Sequence, residues 1–214
     1  MEMTRILAIR HGETAWNVDT RIQGHLDIPL NDTGLQQARW LAQALAERDA
    51  AHAIYASDLA RAHVTALAIG EAMGLPVSTH HGLRERAFGD FQGRTFAEIE
   101  AELPEAALQW RKRHPEWAPP GAGESLVTLR DRVLRTVHEL AARHLGEQIV
   151  LVAHGGVMDV LYRAATRLEL QAPRTWQLPN TAVNRLLWTP EGLSLVGWAD
   201  TTHLDGRSRD ETSA

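Results

Sequence analysis

Two short runs of contiguous apolar residues stand out along the chain, Ile6-Leu7-Ala8-Ile9 and Ile149-Val150-Leu151-Val152-Ala153. Each is too short for a helix and shows no polar alternation, the pattern of a parallel strand covered on both faces. Ala53-Ile54-Tyr55-Ala56 is a weaker third candidate. Elsewhere apolar positions recur at spacings of three and four, which gathers them on one helix face. Thr33 to Arg48 carries Leu35, Ala38, Leu41, Ala42 and Leu45 in this way, and Ser125 to His144 carries Leu126, Leu129, Val133, Val137 and Leu140. Helices are also predicted from Asp58 to Met73, stopped by Gly74 and Pro76, and from Gly155 to Leu168. Ala182 to Trp188 and Leu193 to Trp198 flank Thr189-Pro190-Glu191-Gly192 and read as a β-hairpin.

Strand followed by helix, repeated, predicts a three-layer α/β/α sandwich with a mostly parallel, mixed sheet. The stretch from Phe88 to Gly123 breaks the pattern. It holds Pro104, Pro115, Pro119 and Pro120 with basic and Trp residues between them, and reads as a cap of short helices and loops inserted into a single domain over 1–202. The polar residues 203–214 are expected to fray.

Composition narrows the chemistry. There is no cysteine among the 214 residues. Thiolate nucleophiles, disulfides, iron–sulfur clusters and thiolate zinc sites are thereby excluded. The formal charge of −5 gives no reason to expect general affinity for nucleic acid or an anionic membrane. No apolar run approaches the ~18 residues of a membrane span, and the first residues lack a secretory pattern, so a cytoplasmic location is the expectation. Local clusters of Arg and His must then serve a site.

The two strong strands both stop in the same way, at Arg10-His11-Gly12 and at His154-Gly155-Gly156. Ligands of open α/β sheets bind outside the carboxyl ends of the strands. A helix is predicted soon after each His, and its free N–H groups favour an anion. The third strand ends at Ser57-Asp58, with Arg61 one turn further on. Two imidazoles and two guanidiniums brought to one edge describe a phosphate site. A metal site fits less well, because no carboxylate-rich or HxH spacing accompanies these residues and two arginines would repel a cation.

Arg10-His11-Gly12-Glu13-Thr14-Ala15-Trp16-Asn17 resembles the signature of the histidine phosphatase superfamily, with its phosphoglycerate mutase-like fold. The resemblance continues in order through Gln23-Gly24, Asp27-Ile28-Pro29-Leu30, Gly34-Leu35, Ser57-Asp58-Leu59-Ala60-Arg61, Leu83-Arg84-Glu85-Arg86-Ala87-Phe88-Gly89, Gly123-Glu124-Ser125 and His154-Gly155-Gly156. It implies that His11 is the nucleophile that becomes phosphorylated. It also implies that Arg10, Arg61 and His154 clamp the phosphoryl oxygens, with Asn17, Gln23, Gly24 and Gly155 around them, and that Glu85 is the acid and base. It implies no metal and no organic cofactor. Glu13 is read as a capping group in a first helical turn.

The same resemblance covers mutases and phosphatases. Mutases of the family read Asn-Glu-Arg-His-Tyr-Gly around the acid, where this chain has Arg84-Glu85-Arg86-Ala87-Phe88-Gly89. The expected activity is therefore hydrolysis of small phosphate monoesters, with a small phosphorylated metabolite as the partner molecule. A 2,3-bisphosphoglycerate-dependent mutase is the alternative, and a non-catalytic phospholigand-binding module a third. Trp110-Arg111-Lys112-Arg113 reads either as part of a second anion site or as a solvated helix face. Phe88, Trp110 and Trp117 are candidates for an apolar wall, with core packing expected of at least one. Monomer and dimer are both open.

Overall fold

The computed structural model describes residues 2–205. The expected three-layer architecture is present. Strand β1 (Thr4–Arg10) lies in the middle of a six-stranded sheet. On one side it pairs in parallel with β4 (Gln148–Ala153), beyond which come β2 (Ala53–Ala56) and β3 (Val77–Thr79), all parallel. On the other side it pairs antiparallel with β5 (Val183–Thr189), which forms a hairpin with β6 (Gly192–Asp200). The sheet is thus mixed, as the hairpin signal requires.

Successive residues of the apolar strands face opposite layers. Ile6, Ala8, Ile149, Leu151 and Ala153 pack against helices α6 (Leu126–Ala141) and α7 (Gly155–Thr166) through Leu129, Val133, Val137, Val157 and Leu161. Leu7, Ile9, Val150 and Val152 pack against α2 (Asp32–Arg48) and α3 (Ala60–Met73) through Leu41, Leu45, Ala62, Ala66 and Ile69. Burial on both faces explains why these strands lack polar alternation. Strand β3 was not anticipated. Its three residues follow Pro76 at the sheet edge, two of them exposed, too short and too polar to carry a strand signal.

The stretch from Phe88 to Gly123 holds two short helices, α4 (Phe96–Glu102) and α5 (Pro104–Lys112), and its Phe91, Ile99 and Ala107 form a small core with Phe88, Trp110, Trp117 and, from outside the stretch, Ile22. The first residues of the tail expected to fray are ordered. Thr202–Leu204 form a 3-10 turn and His203 is buried, its ring nitrogen Nε2 3.1 Å from the Thr181 hydroxyl. Residues 206–214, the rest of that tail, lie outside the described residues.

One contact fixes how β1 hands the chain to the site. The loop after β1 lies directly against the first turn of α2. Asn31 caps that helix by accepting from the Gly34 N–H at 2.7 Å, and its amide donates to Glu13 at 2.8 Å. Glu13 therefore precedes the first helical turn instead of lying in it: α1 (Ala15–Val18) begins two residues later, capped by Thr14. A Cβ on Gly34 would overlap the Glu13 carbonyl oxygen and lie 2.7 Å from the Glu13 nitrogen, both backbone atoms. Overpacking of this kind costs about 1–3 kcal/mol. Gly34→Ala is expected to lower the melting temperature by roughly 2–12 °C at about 2–4 °C per kcal/mol, read by thermal unfolding. An unchanged melting temperature would show that this contact does not constrain the loop.

Candidate active site

Parallel pairing in register, Arg10 with Ala153, brings the ends of β1 and β4 side by side. The ladder extends one bond further, His11 N–H to the Ala153 carbonyl at 3.0 Å. His11 and His154 consequently meet, with ring centroids 5.3 Å apart. Both are buried. The His11 ring is fixed by a 2.6 Å bond between Nδ1 and the Gly12 carbonyl. A carbonyl only accepts, so Nδ1 carries the proton and Nε2 presents its lone pair. Among the described residues His154 has no hydrogen-bond partner at either ring nitrogen.

Arg61 reaches the same place from the first turn of α3. It is 1% exposed, and its terminal nitrogens donate to the carbonyls of Leu26 at 2.9 Å and Gly24 at 2.8 Å. Ala60 N–H donates to Asp27, which ties the same loop to the start of α3. Arg10 Nη1 is held by the Leu178 carbonyl. In both arginines the buried Nε–H has no partner among the described residues. The unoccupied donors therefore lie along the Nε edges, because backbone carbonyls already hold terminal nitrogens.

A cavity of about 160 Å³ is lined by Arg10, His11, Asn17, Gln23, Gly24, Arg61 and Glu85. Asn17 Oδ1 accepts from the Thr14 N–H at 3.0 Å and the Thr14 hydroxyl at 3.1 Å, which leaves the amide N–H₂ as its donor end. Gln23 is buried beside it. Gly24, at φ +53°, contributes through the carbonyl that orients Arg61. The sequence-predicted residues thus converge, His154 from behind His11 and Gly155 along a second cavity. The glycine that close approach requires is Gly156, not Gly155. A Cβ on Gly156 would overlap Glu85 Oε1, whereas one on Gly155 would stand 3.6 Å from Arg10 Nε in ordinary contact.

Glu85 is held by backbone. The Gly156 N–H donates to its two oxygens at 3.1 and 3.0 Å, and the Arg86 N–H to Oε1 at 2.7 Å. This seats the carboxylate at the N-terminus of α7, where the helix field favours it. Arg84, the chain neighbour of Glu85, pairs with Asp58 through two bonds, at 2.7 and 2.5 Å. Sequence reasoning missed the support behind Glu85. Arg132 on α6 donates to the carbonyls of Gly82 (3.0 Å), Arg84 (2.9 Å) and Glu85 (3.2 Å), and pairs with Glu124 at 2.8 and 2.7 Å. Glu124 also accepts from the Ala87 N–H. The Gly123-Glu124-Ser125 segment was the only available sign of this support.

The electrostatics follow from burial among cations. Desolvation first, then Arg10 and Arg61, hold the His11 imidazole well below its ordinary range. Desolvation, Arg61, His11 and Arg10 do the same to His154. Burial also lowers Arg61 to about 10. Both imidazoles are therefore neutral in the folded protein near pH 7. Unfolded, each would titrate near 6.5, so below that pH the unfolded state binds more protons and stability falls as pH falls. Each imidazole is expected to contribute ~1.4 kcal/mol of loss between pH 7.5 and 5.5, about 3 kcal/mol for the pair. Denaturant unfolding in phosphate-free buffer reads this. A flat profile over that window would mean that the two rings are not held neutral. Among the described residues no cluster of His, Asp and Glu could hold a metal ion, and no helix is long and apolar enough to cross a membrane.

Comparison with known proteins agrees with this geometry. Phosphoglycerate mutase-like protein 4 of Arabidopsis thaliana is 39% identical over 207 residues, covering 96% of this chain and 89% of that protein. The metal-independent phosphoserine phosphatase of the same plant is 36% identical over 204 residues, covering 95% and 84%. The native structure of a mycobacterial glucosyl-3-phosphoglycerate phosphatase is similar with a TM-score of 0.83 at 37% identity, covering 93% of this chain and 100% of that one. A family model described as histidine phosphatase superfamily (branch 1) matches residues 6–201. With the site at the ends of its two central strands and the match spanning nearly the whole chain, the protein belongs to branch 1 of the histidine phosphatase superfamily.

Proposed function

We propose that the protein is a phosphatase that hydrolyses small phosphate monoesters through a phosphohistidine on His11. The observation that carries this reading is the state of His11. Its Nδ1 is committed to Gly12, and its Nε2 faces a chamber lined by cationic donors. Relatives named as phosphatases of small phosphorylated compounds support it.

Phosphoryl transfer asks the protein chiefly for positioning and charge stabilisation. The free Nε edges of Arg10 and Arg61, one N–H of neutral His154 and the Asn17 amide surround the phosphoryl oxygens. The Nε2–P bond forms as the ester P–O bond breaks, and Glu85 hands a proton to the departing oxygen. The alcohol leaves and water takes its place. Glu85, now a carboxylate, accepts a proton from that water as its oxygen attacks phosphorus. The P–N bond breaks, and phosphate and neutral His11 are restored. Splitting the displacement in two replaces one difficult step with two easier ones.

A mutase would instead return the phosphoryl group to a second hydroxyl. The separating experiment is a panel of phosphate monoesters scored for both inorganic phosphate and isomerised product, run in the presence of a chelator. Phosphate as the dominant product, undiminished by chelation, is expected. Conversion of 3-phosphoglycerate to 2-phosphoglycerate without phosphate release would replace the phosphatase reading with the mutase one, and binding without turnover would favour a phospholigand-binding module.

A further inference from the structure

The His11 ring is aimed by the Gly12 carbonyl, so whatever holds Gly12 holds the nucleophile. Gly12 does not hold itself. A Cβ there would stand 2.5 Å from the Gly34 carbonyl oxygen, so the close approach of α2 requires glycine. Glycine leaves the backbone freer than any other residue. Two side chains remove that freedom by gripping one peptide unit, the one that joins His11 to Gly12. A peptide is planar, and when it is trans its carbonyl and its N–H point to opposite sides. Among the described residues no peptide bond is cis. On one side the Gly12 N–H donates to the Thr65 hydroxyl at 3.1 Å. On the other the His11 carbonyl accepts from the Asn180 amide at 2.8 Å. Thr65 is fully buried, and its own proton goes to the Arg61 carbonyl one helical turn earlier, at 2.7 Å. A hydroxyl has a single proton to give, so Thr65 faces Gly12 as an acceptor. The same Asn180 nitrogen lies 3.4 Å from Asn17 Oδ1, and the next residue, Thr181, donates its N–H to the Arg10 carbonyl at 2.9 Å. Helix α3 and the loop before β5 thus close on one plane from its two sides.

Resting on the phosphatase reading above, we propose that Thr65 and Asn180 are positioning residues for the nucleophile, clamping the His11–Gly12 peptide so that the Gly12 carbonyl stays on Nδ1 and the Nε2 lone pair stays aimed at phosphorus. Both act through the backbone, since neither lines the phosphoryl chamber. If the plane turns, Nδ1 loses its acceptor and the ring proton is free to settle on Nε2, the tautomer that cannot attack. Thr65 also ties the nucleophile to the backbone of Arg61, so the attacking nitrogen and one of its guanidiniums share an anchor. Precision at this level matters, because a displacement of ~1 Å between reacting groups costs about 10²-fold in rate.

Three variants test the clamp. Thr65→Val keeps the branched shape and removes the hydroxyl, Thr65→Ser keeps the hydroxyl, and Asn180→Leu removes the donor on the other side. kcat/KM is measured with p-nitrophenyl phosphate, beside Kd for inorganic phosphate, which the chamber binds without chemistry. Nitrogen NMR of the histidine rings reports the tautomer, with the His11 signals assigned by their loss in His11→Ala. Thr65→Val and Asn180→Leu are each expected to lower kcat/KM by about 10–100-fold. Phosphate Kd should stay near the wild-type value, and a protonated Nε2 should appear at His11. Thr65→Ser should restore both the rate and the wild-type ring signals. Because one plane is held twice, the double variant should lose much less than the product of the single losses. Asn180 is half-buried, so its variant decides the question if Thr65→Val does not fold. Folded variants that lower only the melting temperature, that keep the wild-type tautomer, or that lose phosphate binding in step with kcat/KM would overturn the clamp and leave the phosphatase reading standing. So would losses that multiply in the double variant. Wild-type protein that releases no phosphate from any ester would overturn that reading, and the ring signals would still decide the clamp.

Discussion

Replacing His11 with Ala is expected to lower kcat/KM by at least about 10⁴-fold and to abolish acid-labile phosphorylation of the protein. Removing the nucleophile of a covalent mechanism leaves only binding and electrostatic stabilisation, and losses on the order of 10⁶ in kcat are known for such changes. The fold should survive. His11 makes one side-chain hydrogen bond, to the Gly12 carbonyl, and its backbone bond to Ala153 is unaffected by the substitution. Steady-state kinetics, acid-quenched labelling and thermal unfolding are read on the same preparation. A folded variant that still labels would place the phosphoryl group on another residue and remove the basis of the mechanism.

Substituting Glu85 with Gln separates the two half-reactions. Gln keeps a carbonyl oxygen for the N–H groups of Gly156 and Arg86 that now hold the carboxylate. It can neither donate a proton to the leaving oxygen nor accept one from water. With an alkyl phosphate the first step should slow by about 10²–10⁴-fold, the usual contribution of a positioned acid. With p-nitrophenyl phosphate the leaving oxygen needs little protonation, so phosphorylation of His11 should continue while hydrolysis stalls. A burst of nitrophenolate close to one per protein, followed by a slow steady state, is the expected trace from stopped-flow absorbance. Equal slowing of both esters with no burst would show that Glu85 does not serve both steps.

How far the sequence disclosed this site depended on where each residue sits. The apolar strands ending in His-Gly place His11 and His154 at one sheet edge from sequence alone, and parallel pairing in register turns that into a 5.3 Å approach. The Nδ1 partner of His11 was equally accessible in kind, since a strand-end imidazole has backbone carbonyls within reach. The arrangement around Glu85 was not. Arg132 is one of several arginines on a helix whose apolar stripe gives no hint that this one points inward to three carbonyls. Asn180 lies on irregular backbone, where periodicity assigns no direction to a side chain. Arg113 sits in a run that sequence could read as solvated, yet it lines the second cavity, whereas Arg111 and Lys112 are exposed. Gly155 and Gly156 are indistinguishable as letters, and only the carboxylate resting on the second shows which one must lack a Cβ.

The most direct measurement is a crystal structure with orthovanadate, which adopts the geometry of phosphoryl transfer. Vanadium bonded to His11 Nε2, with Arg10, Arg61 and His154 on its equatorial oxygens and Glu85 beside the apical oxygen opposite the imidazole, is the predicted result. Vanadate bound away from His11, or seated with Nε2 beyond bonding distance, would contradict the account.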